Sequence, residues 1–303
     1  MDKRRGGAYL PLMFDHALID DRRAVLSVTG PDARELLQGV VTQDMGGVSK
    51  DHAAYSLLLT PQGKILFDFF LTEGPEGEIL VDAPAAQAED LFKRLKLYKL
   101  RAKAEIADRP EFSVLLAWGG DAPAPPGFVI ERSADRIVYT DPRLDALGAR
   151  AIVRRSEREA ALSALGAPAT HQAHAEHRIA LGVPESPIDI VPGDTFPLDA
   201  NLDALRGVDY KKGCFVGQEV ASRMKRKGEV RKRMLTISFD GPPPEAGDAV
   251  MAGETTLGEV RSIGAGKALA LIRMDRLYKA IEDGRPPAVN GRPVSAAEPA
   301  YLV

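Results

Sequence analysis

The residue with the clearest chemical potential is the single cysteine of the chain, Cys214, within KKGCFVGQEVASRMKRKGEVRKR (211–233). A thiol acts as a nucleophile or a metal ligand in its thiolate form, and nearby cations or a helix N-terminus lower its pKa. Lys211 and Lys212 precede the cysteine, and GQEVASRMKRKG (217–228) predicts a helix that begins just after it. These neighbours predict a partly accessible, reactive thiol. A small, buried apolar role for the sulfur is the alternative.

The glycines and charges of the same segment suit an anionic ligand. Gly213 and Gly217 free the backbone for positive φ or for close approach of another group, and Glu219 is placed to interact with the helix dipole. The segment holds nine basic residues against two acidic ones, in a chain with a formal net charge of −3. This excess suits a phosphate, a polyglutamate tail or a nucleic acid. A solvated helix face is the alternative, and the lack of interleaved aromatic residues argues against nucleic acid.

Other metal and cofactor motifs are weaker. His171, His174 and His177 lie three residues apart, so successive imidazoles drift around a helix, and we expect a solvated face. GAGKAL (264–269) lacks the third glycine and the following helix of a dinucleotide-binding motif. A single cysteine cannot hold an iron–sulfur cluster alone, because a cluster typically requires about four thiolates. The sequence therefore predicts no resident metal.

The segments around the cysteine alternate between strand and helix patterns. RAVLSV (23–28) predicts a strand followed by a short helix, and AYSLLLT with KILFDFFLTE predicts a hairpin closed by PQG. GEILVDA, a helix over 85–101 and a further strand complete an α+β layer. FSVLLAW opens a second set of strands, with a helix over 157–166.

From Met234 onward, short strands separated by DGPPPEAGD and GAGK indicate a small, all-β barrel. We therefore expect an α+β protein with three domains. Their predicted bounds are 1–108 for an N-terminal α+β domain, 109–230 for a second α+β domain and 231–303 for a C-terminal β-barrel.

Composition restricts the class of protein. The 303 residues include 45% hydrophobic and 27% charged residues, with a pI near 6.0, as in ordinary globular proteins. A lone cysteine forms no internal disulfide, which favours a reducing compartment, and we expect the cytoplasm. No run of apolar residues approaches the roughly 20 needed for a membrane-spanning helix, so neither export nor membrane insertion is expected.

The segment KGCFVGQE (212–219) resembles the signature of the YgfZ-type folate-binding proteins, lysine-glycine-cysteine-aromatic-x-glycine-glutamine-glutamate. Other stretches resemble that family in order along nearly the whole chain, namely LLQGVVTQD, TPQGKILFDF, HRIALGVPESPIDI, DTFPLDANLD and LGEVRSIG. The resemblance implies a three-domain ring related to the T-protein of the glycine cleavage system, with two α+β (ferredoxin-like) units and a C-terminal β-barrel.

The same resemblance implies a tetrahydrofolate-binding accessory protein for the assembly or maintenance of iron–sulfur clusters in client enzymes, including ones that modify tRNA. We expect Cys214 to be the functional thiol, and the protein to be a monomer without a membrane partner. The positions carried over as folate contacts are Lys212, Gly213, Phe215, Gly217, Gln218, Glu219, Arg223, Arg226, Asp68, Asp199 and Asn201.

One departure from the related T-protein bears on the enzyme alternative, a folate-dependent aminomethyl or one-carbon transferase. The T-protein carries two adjacent aspartates in the hairpin strand, where this chain has Phe67 and Asp68. An aminomethyltransferase needs a carboxylate close to the amine and to folate N5, so the loss of one weighs against that reaction. Asp68 is expected to contact the pterin or to face solvent.

Overall fold

The computed structural model describes residues 14–228 and 230–303. Residues 1–13, part of the stretch considered for an export signal, lie outside the described residues, as does Glu229, one of the two acids counted in the basic segment. None of the helices in the described ranges has the length and apolar character needed to cross a membrane.

The strands and helices follow one another in three groups along the chain. The strands up to residue 168 are β1 (His16–Ile19), β2 (Arg23–Thr29), β3 (Ala54–Leu59), β4 (Ile65–Glu73), β5 (Ile79–Pro84), β6 (Glu105–Asp108), β7 (Phe112–Trp118), β8 (Val129–Arg132), β9 (Arg136–Thr140), β10 (Ala149–Arg154) and β11 (Ala167–Pro168). The later strands are β12 (Lys232–Ser238), β13 (Ala249–Ala252), β14 (Thr255–Ile263), β15 (Lys267–Arg273), β16 (Ala288–Val289), β17 (Arg292–Pro293) and β18 (Ser295–Ala297). The helices are α1 (Ala33–Val40), α2 (Ala85–Lys99), α3 (Arg158–Leu165), α4 (His171–Ala180), α5 (Gln218–Lys227) and α6 (Met274–Glu282).

The first sheet is antiparallel and has the order β3-β4-β5-β2-β6. One face packs against α1 and α2, where Leu37 and Leu91 join Phe69 in a buried cluster. The part of the other face that carries Tyr55 and Leu57 is covered by residues of the segment 181–221. The predicted hairpin of β3 and β4 and the predicted α+β layer are both confirmed.

The second sheet has the order β11-β1-β7-β10-β9-β8. Its first face packs against the first sheet, and its second face packs against α3. Strand β1, expected with the N-terminal domain, instead pairs with β7 in the register His16↔Trp118. Strand pairing therefore crosses the predicted domain boundary at residue 108. The predicted domain bounds stay a prediction. The layers run helix, sheet, sheet, helix.

A buried group of charges joins the two sheets. Asp82 on β5 accepts hydrogen bonds from Arg23 Nε at 2.6 Å and from Arg150 Nη2, on β10 of the second sheet, at 2.5 Å. Arg143 binds Asp141 through Nη2 and Oδ2 at 2.8 Å, with Arg150 Nη1 at 3.8 Å from the same oxygen. Burial opposes the ionisation of Asp141, but the two guanidiniums lower its pKa overall. Opposite charges thus add to the apolar contact between the sheets.

The third sheet has the order β17-β16-β13-β14-β15-β12-β18. Strands β17 and β18 stand at opposite ends of this order, yet only Val294 separates them in the chain, so the sheet curls until its edges meet. The predicted barrel is confirmed. It is not purely β, because α6 buries Met274, Leu277 and Ala280 in the barrel core. Their helical spacing in MDRLYKAIE was the overlooked signal.

Candidate functional site

Cys214 lies on an exposed turn between two buried side chains. Lys212 is 8% exposed and Phe215 is 7% exposed, whereas Gly213 and Cys214 between them face solvent. Phe215 packs with Leu57 and its neighbours against the first sheet. The alternative that Cys214 is a small, buried apolar residue is wrong. Its sulfur is accessible and has no hydrogen-bond partner among the described residues.

Lys212 holds this turn from inside the protein. Its ammonium donates to the carbonyl oxygens of Gln38, Val41 and Gln43 at 2.8, 2.7 and 2.8 Å. An ammonium has three donors, so all are used. Burial lowers the pKa of Lys212 to about 8. Lys212, which the sequence places beside the thiol as a nearby cation, thus anchors the turn to the end of α1 and to the connection that follows it.

Two glycines in the left-handed region fix the end of the turn. Gly217 has φ +81°, and a Cβ built on it would lie 2.5 Å from the carbonyl oxygen of Thr60 and 3.1 Å from Gly63 Cα. Gly63 has φ +79°, and its Cβ would lie 3.0 Å from Val220 Cβ. Only glycine permits this approach without strain. The predicted role of Gly217 is confirmed, and Gly63, from the PQG turn, is the partner that the sequence interpretation missed.

The first turn of α5 closes the loop. Gln218 Nε2 donates to the carbonyl oxygen of Gly213 at 3.3 Å, and Gln218 N donates to that of Phe215 at 3.2 Å. Glu219 is exposed in the first turn of α5, where a carboxylate interacts favourably with the helix dipole. A Cβ on Gly213 would meet nothing within 4 Å, so that glycine is not required by packing.

Part of the basic segment serves the fold. Asp203 accepts from Arg233 Nη1 at 2.6 Å and from Lys225 Nζ at 3.0 Å, which neutralises two of the counted bases. Arg223 and Arg226 are exposed on α5, and Arg226 Nε donates to the Ser222 carbonyl oxygen of its own helix at 3.4 Å. The other exposed bases of the segment include Lys211, Arg223, Arg226, Lys227 and Lys232.

Two of the carried-over polar residues are internal. Asn201 is fully buried with φ +61°, and its amide exchanges hydrogen bonds with the backbone of Met234 at 2.7 and 3.2 Å. This exchange ties the segment before the cysteine to the first barrel strand. Asp68 is 4% exposed and accepts from Tyr55 Oη at 2.7 Å, so the expectation that it faces solvent is wrong.

The carried-over folate contacts fit a ligand only in part. Lys212, Asn201 and Asp68 are each held by hydrogen bonds in a different region of the protein. Asp68 Oδ1 is nevertheless buried without a hydrogen-bond partner among the described residues, and such an orphaned acceptor is compatible with a polar ligand. Folate binding therefore stays a prediction.

Asp199 is the carried-over carboxyl with a strongly perturbed pKa. Burial raises its pKa to about 6, against the opposing effect of Lys232 and Arg233. The carboxyl lies in the loop that leads to Asn201, close to Lys232 at the start of β12. Perturbed carboxyls of this kind occur at functional sites, and they also make stability depend on pH.

The three histidines of α4 do not form a solvated face. His174 is 4% exposed and lies edge-on to Trp118 with ring centroids 5.2 Å apart, so that expectation is wrong. Burial lowers the pKa of His174 to about 3. His171 Nε2 instead lies 3.1 Å from Asp20 Oδ1 and 3.3 Å from Asp21 Oδ1. We assign no cation there.

Two family models match the chain. They are the GCVT N-terminal domain over residues 19–124 and the CAF17 C-terminal beta-barrel domain over residues 231–302. The fold is similar to that of the glycine cleavage system aminomethyltransferase T from Bartonella henselae, with a TM-score of 0.77 and 19% identity over 97% of this chain and 87% of that one. The predicted T-protein type of fold, α+β with a C-terminal barrel, is confirmed. At this identity the similarity shows the fold alone.

Curated relatives are named iron–sulfur cluster assembly factor IBA57 or its homologues. The Neurospora crassa homologue is 32% identical over 74% of this chain, which spans only 54% of that relative's length. The Pyricularia oryzae homologue is 31% identical over 88% of this chain and 74% of its own length, and the human protein is 29% identical over 85% and 77%. These relatives are named mitochondrial, so the expectation of a cytoplasmic location is wrong.

Replacing Gly217 by alanine should destabilise the protein by about 2–4 kcal/mol, because alanine resists the positive φ and its methyl group would clash with the Thr60 carbonyl oxygen. Gly213→Ala is the matched control, since a methyl group there meets open space. Urea unfolding measures both variants. Equal stabilities would contradict the proposed packing of the β3–β4 turn against α5.

Asp199 should make the folded state lose stability as pH rises between about 4 and 6. The unfolded chain releases this proton near 3.8, whereas the folded protein holds it until about 6, so the folded state binds more protons in that window. Asp199→Asn should remove this loss and raise the melting temperature relative to wild type more at pH 7 than at pH 4. Asp194→Asn is the control, because Lys64 lowers the pKa of Asp194 and the effect should have the opposite sign. A pH-independent difference between wild type and Asp199→Asn would contradict the assignment.

Proposed function

Because the chain belongs to the IBA57 family of iron–sulfur cluster assembly factors, we propose that it acts in cluster assembly through the thiol of Cys214. The observation that carries this proposal is the placement of the chain's only cysteine. It is exposed on a turn that is fixed by the buried side chains of Lys212 and Phe215 and by the close backbone contact at Gly217. A side chain kept for its volume would lie in the core, whereas a side chain kept for its sulfur must reach a partner.

Cys214 can contribute one thiolate ligand to a cluster. Clusters are typically held by about four protein ligands, so this chain can supply one ligand to a cluster whose other ligands belong to a partner protein. The thiol would lose its proton to solvent and its sulfur would replace one existing ligand on iron. The proposed role is therefore to share or pass on a cluster during assembly.

The positive charge of the segment that carries the thiol favours the binding of an anion. Lys211 precedes the turn and Arg223, Arg226 and Lys227 lie on the helix that follows it, all of them exposed, and a cluster bearing several thiolates is itself negatively charged. The fixed backbone matters as much as the charge, because a ligand exchanged between two proteins must be presented in one geometry.

The finer assignments rest on the sequence resemblance. They are membership of the YgfZ type, binding of tetrahydrofolate, client enzymes that modify tRNA, and a monomeric state. The orphaned Asp68 Oδ1 supports a polar ligand, and calorimetric titration with tetrahydrofolate tests this part. The aminomethyltransferase alternative is disfavoured, because Phe67 packs in the core beside α1 and α2 and one oxygen of Asp68 is bound by Tyr55.

Replacing Cys214 by alanine should abolish function and leave the fold intact, because the side chain is exposed. The measurement is the rescue of iron–sulfur enzyme activity in cells that lack the protein, combined with the melting temperature of each purified variant. Gly213→Ala is the control, since it changes the neighbouring exposed residue without removing the sulfur. Full rescue by Cys214→Ala, together with alkylation of the wild-type thiol no faster than that of a model thiol, would contradict a functional role for the sulfur.

A further inference from the structure

The C-terminal half of α2 exposes two leucines to solvent. Leu91 and Leu95 of the same helix are buried in the cluster on the first sheet, whereas Leu97 is 66% exposed and Leu100 is 87% exposed. Leu97 and Leu100 are three residues apart, so they lie close together on the side of the helix that faces away from the core. The two side chains form an apolar patch that the fold does not bury.

Leu100 has an unusual backbone conformation. It directly follows the last residue of α2 and has φ +42° and ψ −104°. A residue with positive φ after a helix is usually glycine or asparagine, because a Cβ atom disfavours this region. A leucine with an exposed side chain adds strain here and contributes no packing. Its residue type is therefore not explained by the fold.

Basic residues surround the two leucines. Residues 91–104 contain six basic residues and no acidic one, in a chain with a formal net charge of −3. Lys93 pairs with Glu89 at 2.6 Å, and Lys96 Nζ lies 4.2 Å from the centroid of the Phe92 ring. The other four form no ion pair with a residue that the structure describes, and they are Arg94, Lys99, Arg101 and Lys103. The helix dipole explains bases in the last turn of α2, but not those outside it.

Three of these bases line a cavity of about 480 Å³. They are Lys96, Lys99 and Lys103, and Lys96 and Lys99 each directly precede one of the exposed leucines. Glu105 is the one acidic residue of the lining, and Asp32 Oδ2 lies nearby, where it accepts from the backbone amide of Lys103 at 2.6 Å. The lining therefore carries a net positive charge, which suits a phosphate group.

The leucines distinguish between the possible anionic partners. Nucleic acids are bound by bases together with exposed aromatic side chains, but Phe92 and Tyr98 pack against the core. An acidic protein would need a pocket that matches the projecting leucines. A phospholipid bilayer needs no such pocket, because aliphatic side chains enter its acyl region while Lys and Arg contact the headgroups. A cluster of about four to eight bases on an amphipathic helix is typical of binding to anionic lipids.

We propose that the C-terminal end of α2 binds the surface of an anionic phospholipid bilayer. Leu97 and Leu100 insert between the acyl chains, and the lysines of the cavity bind headgroup phosphates. This differs from the expectation of no membrane partner, which rested on the lack of a membrane-spanning segment, because binding at the surface requires none. No residue of this surface belongs to the turn that carries Cys214, so the proposal does not depend on the role of the thiol.

Cosedimentation of the full chain with lipid vesicles tests the proposal. Vesicles of phosphatidylcholine with about 30% phosphatidylglycerol should bind the protein at least about tenfold more tightly than vesicles of phosphatidylcholine alone, because several bases interact with the negative surface. Binding to the anionic vesicles should weaken as the salt concentration rises, since ions screen these charges.

Leu100→Gly separates binding to the bilayer from stability of the fold. Glycine accepts the positive φ, so the melting temperature should be unchanged or higher, while binding to anionic vesicles should weaken at least about fivefold. Leu97→Ser should weaken binding by a similar factor. Ile281→Ser is the matched control, because Ile281 is 58% exposed on α6 and is followed by Glu282 and Asp283, and this variant should bind like wild type.

Lys103→Glu should weaken binding about tenfold or more, because it replaces an attraction to the headgroups by a repulsion. Lys279→Glu makes the same change at an exposed position of α6 and should have no effect. The proposal is overturned if the protein does not bind anionic vesicles up to about 2 mM lipid, or if it binds both kinds of vesicle equally. It is equally overturned if both leucine variants bind like wild type while Lys103→Glu does not, because the surface would then recognise polyanions such as an acidic protein or a nucleic acid.

Discussion

The close approach of Gly63 and Gly217 determines where the only cysteine of the chain can be. Each glycine has positive φ, and the space between the β3–β4 turn and α5 is too small for a side chain. With Lys212 held by three carbonyl oxygens, the turn between them has little freedom, so Cys214 is displayed in one place. The chemistry proposed for the thiol depends on this backbone contact more than on any neighbouring charge.

A second constraint acts deeper in the molecule, where the two α+β layers meet. The guanidinium of Arg150 lies 3.7 Å from the centroid of the Phe70 ring and binds Asp82 across the interface. Removing one partner from such a buried pair leaves an uncompensated charge, which is why these networks tolerate little change. The buried polar residues, including Asp68, which accepts a hydrogen bond from Tyr55, therefore contribute to the stability of the fold.

Local sequence patterns predicted the helices and strands well. They could not predict which residues are buried by segments that lie far away in the chain. Helix α5 ends at Gly228 in the left-handed conformation as its sequence indicated, and the β3–β4 hairpin and the barrel strands follow their patterns. Lys212 was misjudged because lysine is usually exposed, and the carbonyl oxygen of Gln38 that binds it lies 174 residues away. The pairing of β1 with β7 was missed for the same reason, since periodicity does not identify a partner strand.

Electron–nuclear double resonance gives the most direct measurement of the central claim, because the chain has one cysteine and selective ¹³Cβ-cysteine labelling marks Cys214 alone. The labelled protein would be mixed anaerobically with an unlabelled carrier protein loaded with a [2Fe–2S] cluster, and the cluster then reduced. Our account predicts a ¹³C hyperfine coupling, because the Cys214 sulfur binds iron in the complex. A complex that forms without any ¹³C coupling would contradict it.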